Sequence, residues 1–193
     1  MRSRAPERAV EGKPAPPSPQ AARGLAADAA AELAEASGGV RARGAILRAA
    51  ALAALVVAAD RVAKVLVADH IPVGTVRHLV PGLELVHVQN TGVAFSLLAG
   101  GGGVVLAVTL AVLAALLANF LRKADRPWLW LPTGLLVGGA LGNLIDRVAD
   151  GSVTDFIKLP HWPAFNLSDV AITVGVIALV LVLEGPAARR RRR

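Results

Sequence analysis

Three stretches of this chain carry no charge over lengths that few water-soluble folds bury. No Asp, Glu, Lys or Arg occurs from Leu85 to Leu121, from Pro127 to Ile145, or from Val170 to Leu183. A membrane span needs about 20 mostly apolar residues. Four candidate spans follow: Ala45–Val67, Val104–Leu121, Trp128–Ile145 and Leu167–Leu183. The last is short, and Phe165 and Asn166 are expected to extend its outer end. The fold class implied is an α-helical membrane protein with four transmembrane helices. A soluble protein with very apolar core helices is the reading that these lengths argue against.

The net charge of +7 does not point to nucleic acid. Arg41 and Arg43 precede the first span and Arg48 lies in its first turn, Arg122, Lys123 and Arg126 lie between the second and third, and Arg189 to Arg193 close the sequence. Loops 69–103 and 146–166 are poor in Lys and Arg. The positive-inside rule then places both termini in the cytoplasm and these two loops outside. The terminal arginine run suits anionic lipid headgroups, and it lacks the stacking aromatics of a single-strand binder.

Three regions are expected. Residues 1–40 form a disordered cytoplasmic tail, since "KPAPPSPQ" builds no packed core, although "AADAAAELAEA" suits a short surface helix. Residues 41–186 form the four-span unit, and 187–193 a basic cytoplasmic tail. No cleavable signal peptide is evident, and the first span is expected to insert as an uncleaved anchor. Within 69–103, "GLELVHV" alternates as a strand does, so a small extracytoplasmic β-sheet is expected. "GVAFSLLAGGGG" reads as a short interfacial helix followed by a flexible glycine run. Trp128, Trp130 and Trp162 fit interfacial belts. The absence of cysteine removes disulfide and thiolate chemistry. His70, His78, His87 and His161 match no zinc spacing and read as interfacial or loop residues, so no metal is expected.

Against this apolar background the polar residues stand out. Asp60 and Lys64 lie in the outer part of the first span, four apart with the acid first, the favourable order for a helical ion pair. Charge at such depth faces a bundle interior or a wet cavity. The pair either satisfies itself and orients the helix, or shapes an active site. Asn143, Asp146 and Arg147 share a helix face at the outer end of the third span, after the small residues of "GGALGN", which admit a close neighbouring helix. Asp155 sits in the β-like "VTDFIKL", and Asp169 in the first turn of the fourth span, in "FNLSDVAI". Both can reach one membrane boundary. Two carboxylates held close in a low-dielectric place cannot both ionise easily, which is the condition an aspartic protease exploits. Helix-capping aspartates with no chemistry are the competing explanation.

The blocks "DRVAKVLV" (60–67), "NTGVAFSLL" (90–98), "GGALGNLIDRV" (138–148), "VTDFIKL" (153–159) and "FNLSDVAI" (165–172) together resemble lipoprotein signal peptidase, or signal peptidase II, over about residues 45–185. The resemblance implies a bacterial plasma-membrane aspartyl endopeptidase with Asp155 and Asp169 as its catalytic dyad. It implies supporting or substrate-binding roles for Asp60, Lys64, Asn90, Gly92, Asn143, Asp146, Arg147 and Asn166. The implied substrate is a prolipoprotein already carrying diacylglycerol on its lipobox cysteine, cut just before that cysteine. No cofactor and no metal are implied, and the partners are substrate and membrane lipid, with the enzyme a monomer. Ser168 stands where the family commonly has alanine. A small transporter or channel with a polar outer vestibule is the main alternative from another class, and a packing subunit built on "GGALG" a lesser one.

Overall fold

The computed structural model describes residues 18–91 and 101–184. The chain divides into two compact units, 1–38 and 39–193. In the first, the chain is helical from Pro19, where α1 (Pro19–His70) begins. Its described side chains through Ser37 are exposed. The surface helix expected at "AADAAAELAEA" is thus present and begins earlier, at Pro19, because alanine costs least in a helix; residues 1–17 of the expected tail lie outside the described residues.

The second unit holds the rest of α1, then β1 (Val76–Val80), β2 (Leu83–Asn90), α2 (Gly101–Arg122), α3 (Trp130–Asp150), β3 (Val153–Lys158) and α4 (Leu167–Glu184). The three strands form one antiparallel sheet in the order β1-β2-β3. Gly82, with φ of 83°, makes the turn between β1 and β2 that a residue with a Cβ would resist. β3 pairs Asp155 with Val88 and Val153 with Asn90. Phe156 of β3 packs with Val67 of α1 and with Ile71 just past its end, and Leu85, Ile157 and Leu167 close around them. The sheet is thereby fixed to the end of α1 that carries Asp60 and Lys64. A second apolar cluster, of Ala45, Ala49, Phe120, Ala124 and Leu129, lies at the opposite helix ends.

Glycines set the helix spacing. Gly134, Gly138 and Gly142 are four apart and share one face of α3. A Cβ on Gly134 would fall 2.9 Å from the Ala49 carbonyl, and one on Gly138 would fall 2.8 Å from Val56 Cβ. The matched order of these contacts means that α1 and α3 run parallel. On the next face, Gly139 meets Ser168 and Ile172, and Gly175 meets Leu136, so α4 runs antiparallel to α3. Close backbone approach of this kind is how small residues join helices when water supplies no driving force.

Several expectations change. Gly101–Gly103 belong to α2 rather than to a flexible run, since the apolar helix after them propagates back through the glycines; the interfacial helix expected at the start of "GVAFSLLAGGGG" lies outside the described residues. α4 is not extended by Phe165 and Asn166: Asn166 caps it, and Phe165 bridges to Ile157 of β3. His87 is neither interfacial nor in a loop. It is buried on β2 with Nδ1 2.6 Å from the Ile71 carbonyl. Among the described residues one helix, α4, is long and apolar enough by composition to cross a membrane, and Ala107–Arg122 is a shorter apolar stretch. The burial pattern is nonetheless inverted relative to a water-soluble protein. On α1, Asp60 and Lys64 are 1% and 2% exposed while Leu55, Val62 and Leu66 are more than half exposed.

Gly139→Ala brings a Cβ within 2.5 Å of the Ser168 carbonyl, a backbone atom that cannot swing aside. We expect it to destabilise the fold by about 1–3 kcal/mol, read as a lower Tm in detergent. An unchanged Tm would mean that α3 and α4 do not touch there.

Candidate active site

The site begins with how two elements end and start. α3 stops at Gly151, whose φ of 70° and N–H bond to the Arg147 carbonyl (3.2 Å) turn the chain straight into β3. This puts Asp155 on the strand beside α3. The chain then returns to α4, whose first turn is a capping box. Asn166 Oδ1 accepts from the Asp169 N–H at 3.0 Å, and Asp169 Oδ2 accepts from the Asn166 N–H at 3.2 Å. Asp169 is thus part of the helix cap, as expected for an acid in the first turn. The same Asn166 also donates through Nδ2 to Asp155 Oδ1 at 2.7 Å. One fully buried asparagine joins both carboxylates.

Each acid has a second amide. Asn90, at the end of β2, donates to Asp155 Oδ2 at 3.0 Å, and Asn143 of α3 donates to Asp169 Oδ1 at 2.8 Å. The two acids differ in setting, Asp155 being buried and Asp169 partly exposed. Burial pushes the Asp155 carboxyl above its ordinary range, and the charge of Asp169 adds to this. The Asn90 and Asn166 hydrogen bonds and the Lys64 charge pull the other way. Beside Asp169 lies a mostly apolar cleft of about 260 Å³, lined by Leu159, Trp162, Phe165, Val170 and Thr173.

Behind the acids sits a buried ionic brace. Lys64 Nζ lies 2.6 Å from Asp60 Oδ2 and 2.7 Å from Asp146 Oδ2. It also donates to Asn143 Oδ1 at 3.3 Å, which leaves the Asn143 amide nitrogen to face Asp169. Asp60 Oδ1 accepts the Ser168 N–H at 3.0 Å, a carboxylate at the positive end of α4. Asp146 Oδ2 accepts the Thr154 N–H at 3.3 Å, which ties α3 to β3. The expected Asp60–Lys64 pair therefore exists, and it is also wired to the rest of the cluster.

Of the residues singled out in the sequence, Asp60, Lys64, Asn90, Asn143, Asp146, Asn166, Asp155 and Asp169 form one connected network. Arg147 stands apart from the carboxylates, donating to the Asn143 carbonyl at 3.1 Å. Gly92 lies outside the described residues. Arg61, not among the residues expected at the site, brings Nη1 to 3.3 Å from Asp146 Oδ1 from a half-exposed position. The backbone N–H groups of Thr154 and Ser168 also belong to the network. Any residue can supply such a donor, so no side-chain signal marks them. Among the described residues the buried Ser168 hydroxyl has no hydrogen-bond partner, and it lies in the notch left by the missing Cβ of Gly142.

With this geometry in hand, known proteins supply the comparison. The family model described as signal peptidase (SPase) II matches residues 52–184. The chain belongs to the signal peptidase II family. A lipoprotein signal peptidase of Moorella thermoacetica is 42% identical over 143 residues, covering 73% of this chain and 95% of that protein. One from Syntrophomonas wolfei is 45% identical over 131 residues, covering 67% and 88%. A solved structure described as a bacterial membrane enzyme matches with a TM-score of 0.67 at 32% identity, covering 74% of this chain and 94% of that one. A second, described in the same words, gives 0.64 at 33% identity, covering 72% and 87%.

Lys64→Met would leave Asp60 and Asp146 as buried carboxylates without their shared cation. Breaking a buried pair from one side costs about 3–5 kcal/mol. We expect a large fall in Tm, and a smaller one for Lys64→Met combined with Asp146→Asn. Equal losses in the two variants would show that the brace is not a coupled unit.

Proposed function

We propose that this chain removes signal peptides from diacylglyceryl-modified prolipoproteins, cutting before the lipidated cysteine, with Asp155 and Asp169 as an aspartic dyad. The observation that carries the reading is Asn166, whose side chain and N–H hold both carboxylates at once. A capping role needs Asp169 alone and gives no reason for the buried Asp155. The names of the relatives support the substrate.

In this mechanism the shared proton rests on the buried Asp155 and the partly exposed Asp169 is ionised. Burial penalises the charged form most where the site is deepest. Asp169 takes a proton from water as the water oxygen bonds to the scissile carbonyl carbon. Asp155 gives its proton to the carbonyl oxygen. When the C–N bond breaks, Asp169 passes its proton to the leaving nitrogen and Asp155 recovers its own from the collapsing hydroxyl. Asn90, Asn143 and Asn166 fix the carboxyl planes, and Lys64 fixes the amide of Asn143. The cleft beside Asp169 suits apolar substrate groups.

The exposed leucines and valines outside the buried charges support membrane embedding, with α1, α2, α3 and α4 supplying four spans, both termini cytoplasmic and the dyad at the outer face. The 41–186 unit is then the peptidase, acting as a monomer among lipids, with 1–40 and 187–193 as cytoplasmic tails. A transporter would need polar groups along the bundle. Here the far helix ends close on Ala45, Ala49, Phe120 and Leu129.

Asp155→Asn and Asp169→Asn should each lower cleavage of a diacylglyceryl-modified prolipoprotein by about a hundredfold or more, measured by gel shift. Because folding raises the Asp155 pKa, its ionisation opposes folding. The stability held by the protonated form is present at low pH and is lost as pH rises through the folded value. Asp155→Asn should therefore keep or raise Tm at neutral pH. Normal turnover by this variant would overturn the dyad.

The rate should also fall on the alkaline side as Asp155 loses its proton. Asn90→Ala removes a bond that lowers its pKa, so the alkaline limb should move to higher pH. A limb that stays in place, or moves down, would put the titrating proton elsewhere.

A further inference from the structure

The helix ends remote from the carboxylates carry a second built feature. A cavity of about 270 Å³ lies between the start of the apolar part of α1 and the α2–α3 connection. Arg41, Arg48 and Arg126 line it, together with Asp125, Trp128 and Trp130. Arg48 and Arg126 alone outweigh the one carboxylate, Asp125, and leave the cavity net positive. Arg48 is held in place twice: its Nε donates to the Gly44 carbonyl at 3.0 Å, and its guanidinium carbon lies 5.6 Å from the centre of the Trp130 ring. The rest of that fork is therefore oriented before anything binds.

Trp128 and Trp130, at the start of α3, line the same cavity and give it an aromatic wall. Nothing in the peptidase reading uses these groups, since Arg48 precedes Asp60 by twelve residues on α1, or about 18 Å of helix.

We infer that this cavity binds the phosphate of an anionic phospholipid headgroup, with the guanidinium groups of Arg48 and Arg126 on the phosphate oxygens and Trp128 and Trp130 at the level of the glycerol backbone. Arginine forks match phosphate geometry, and basic pockets between spans are headgroup sites. A lipid is favoured over free phosphate because the same end of the bundle carries exposed apolar residues: Leu47, next to Arg48 in sequence, is 71% exposed, and Leu121, near the end of α2, is 60% exposed. A soluble anion has no use for that surface, whereas acyl chains cover it. The inference rests on the membrane reading of the chain and is independent of the dyad.

The test uses the purified full chain in neutral detergent, titrated with phosphatidylglycerol or phosphatidylcholine, with bound lipid counted by native mass spectrometry. Wild type should retain phosphatidylglycerol in preference to phosphatidylcholine. Arg48→Gln and Arg126→Gln should each weaken phosphatidylglycerol binding roughly fivefold. Arg48→Lys, which keeps the charge and loses the fork, should also weaken it. Arg43→Gln, on the same helix but not lining the cavity, should leave it unchanged. An equal loss in Arg43→Gln, or full binding by Arg48→Lys, would reduce the feature to diffuse surface charge and overturn the site. So would displacement of the lipid by millimolar inorganic phosphate, which would make the ligand a free anion. Cleavage assays on the same samples report the dyad separately, so failure of one reading is distinguishable from failure of the other.

Discussion

The structure depends on one ammonium group. Lys64 Nζ is buried and sits between the carboxylates of Asp60 and Asp146, each less than 3 Å away. None of the three is tolerable alone in a low-dielectric interior. Together they remain only if α1 and α3 keep their spacing, and that spacing is set by Gly134, Gly138 and Gly142. The charges and the glycines are therefore one device. The glycines let the helices approach until a single lysine spans both acids, and the lysine penalises any sliding of α1 against α3.

Geometry then propagates outward from that group. The free oxygen of Asp60 holds the first turn of α4 by the Ser168 N–H, and the Asp146 carboxylate holds β3 by the Thr154 N–H. These are the two elements that carry Asp169 and Asp155. Lys64 also fixes the Asn143 amide, whose nitrogen meets Asp169. The brace thus reaches the candidate dyad through two backbone bonds and the Asn143 amide, beside the Asn90 and Asn166 amides that hold Asp155 directly, which keeps the two acids in register with each other.

Much of this was legible in the sequence because the chain is so apolar. Against charge-free runs, Asp60, Lys64, Asn143, Asp146, Asp155 and Asp169 each needed a reason, and all of them lie in the network. The strand at 82–88 announced itself by alternation, and the small residues of "GGALG" announced a close helix contact. What was not legible has a common physical cause. The roles of Thr154 and Ser168 in the brace use backbone N–H groups, which every residue type except proline offers. The helical state of Gly101–Gly103 follows from the segment after them rather than from their own preference. His87 looked like a loop residue because its partner, the Ile71 carbonyl, is sixteen positions away and is a backbone atom.

Ser168 shows how tightly the constraint is drawn. Its N–H is held by Asp60, and its side chain has only the Gly142 notch to occupy. Among the described residues the hydroxyl there finds no partner, and a buried unsatisfied group costs about 1–3 kcal/mol. The N–H bond to Asp60 is the link from the lysine to α4. That backbone bond at the positive end of the helix, to a buried charge, is worth more than a neutral hydroxyl bond. The unpaired hydroxyl is therefore a cost that anchoring the dyad helix on the brace outweighs. The Gly142 position, with no Cβ to collide with Ser168, is what keeps that cost from becoming a steric one.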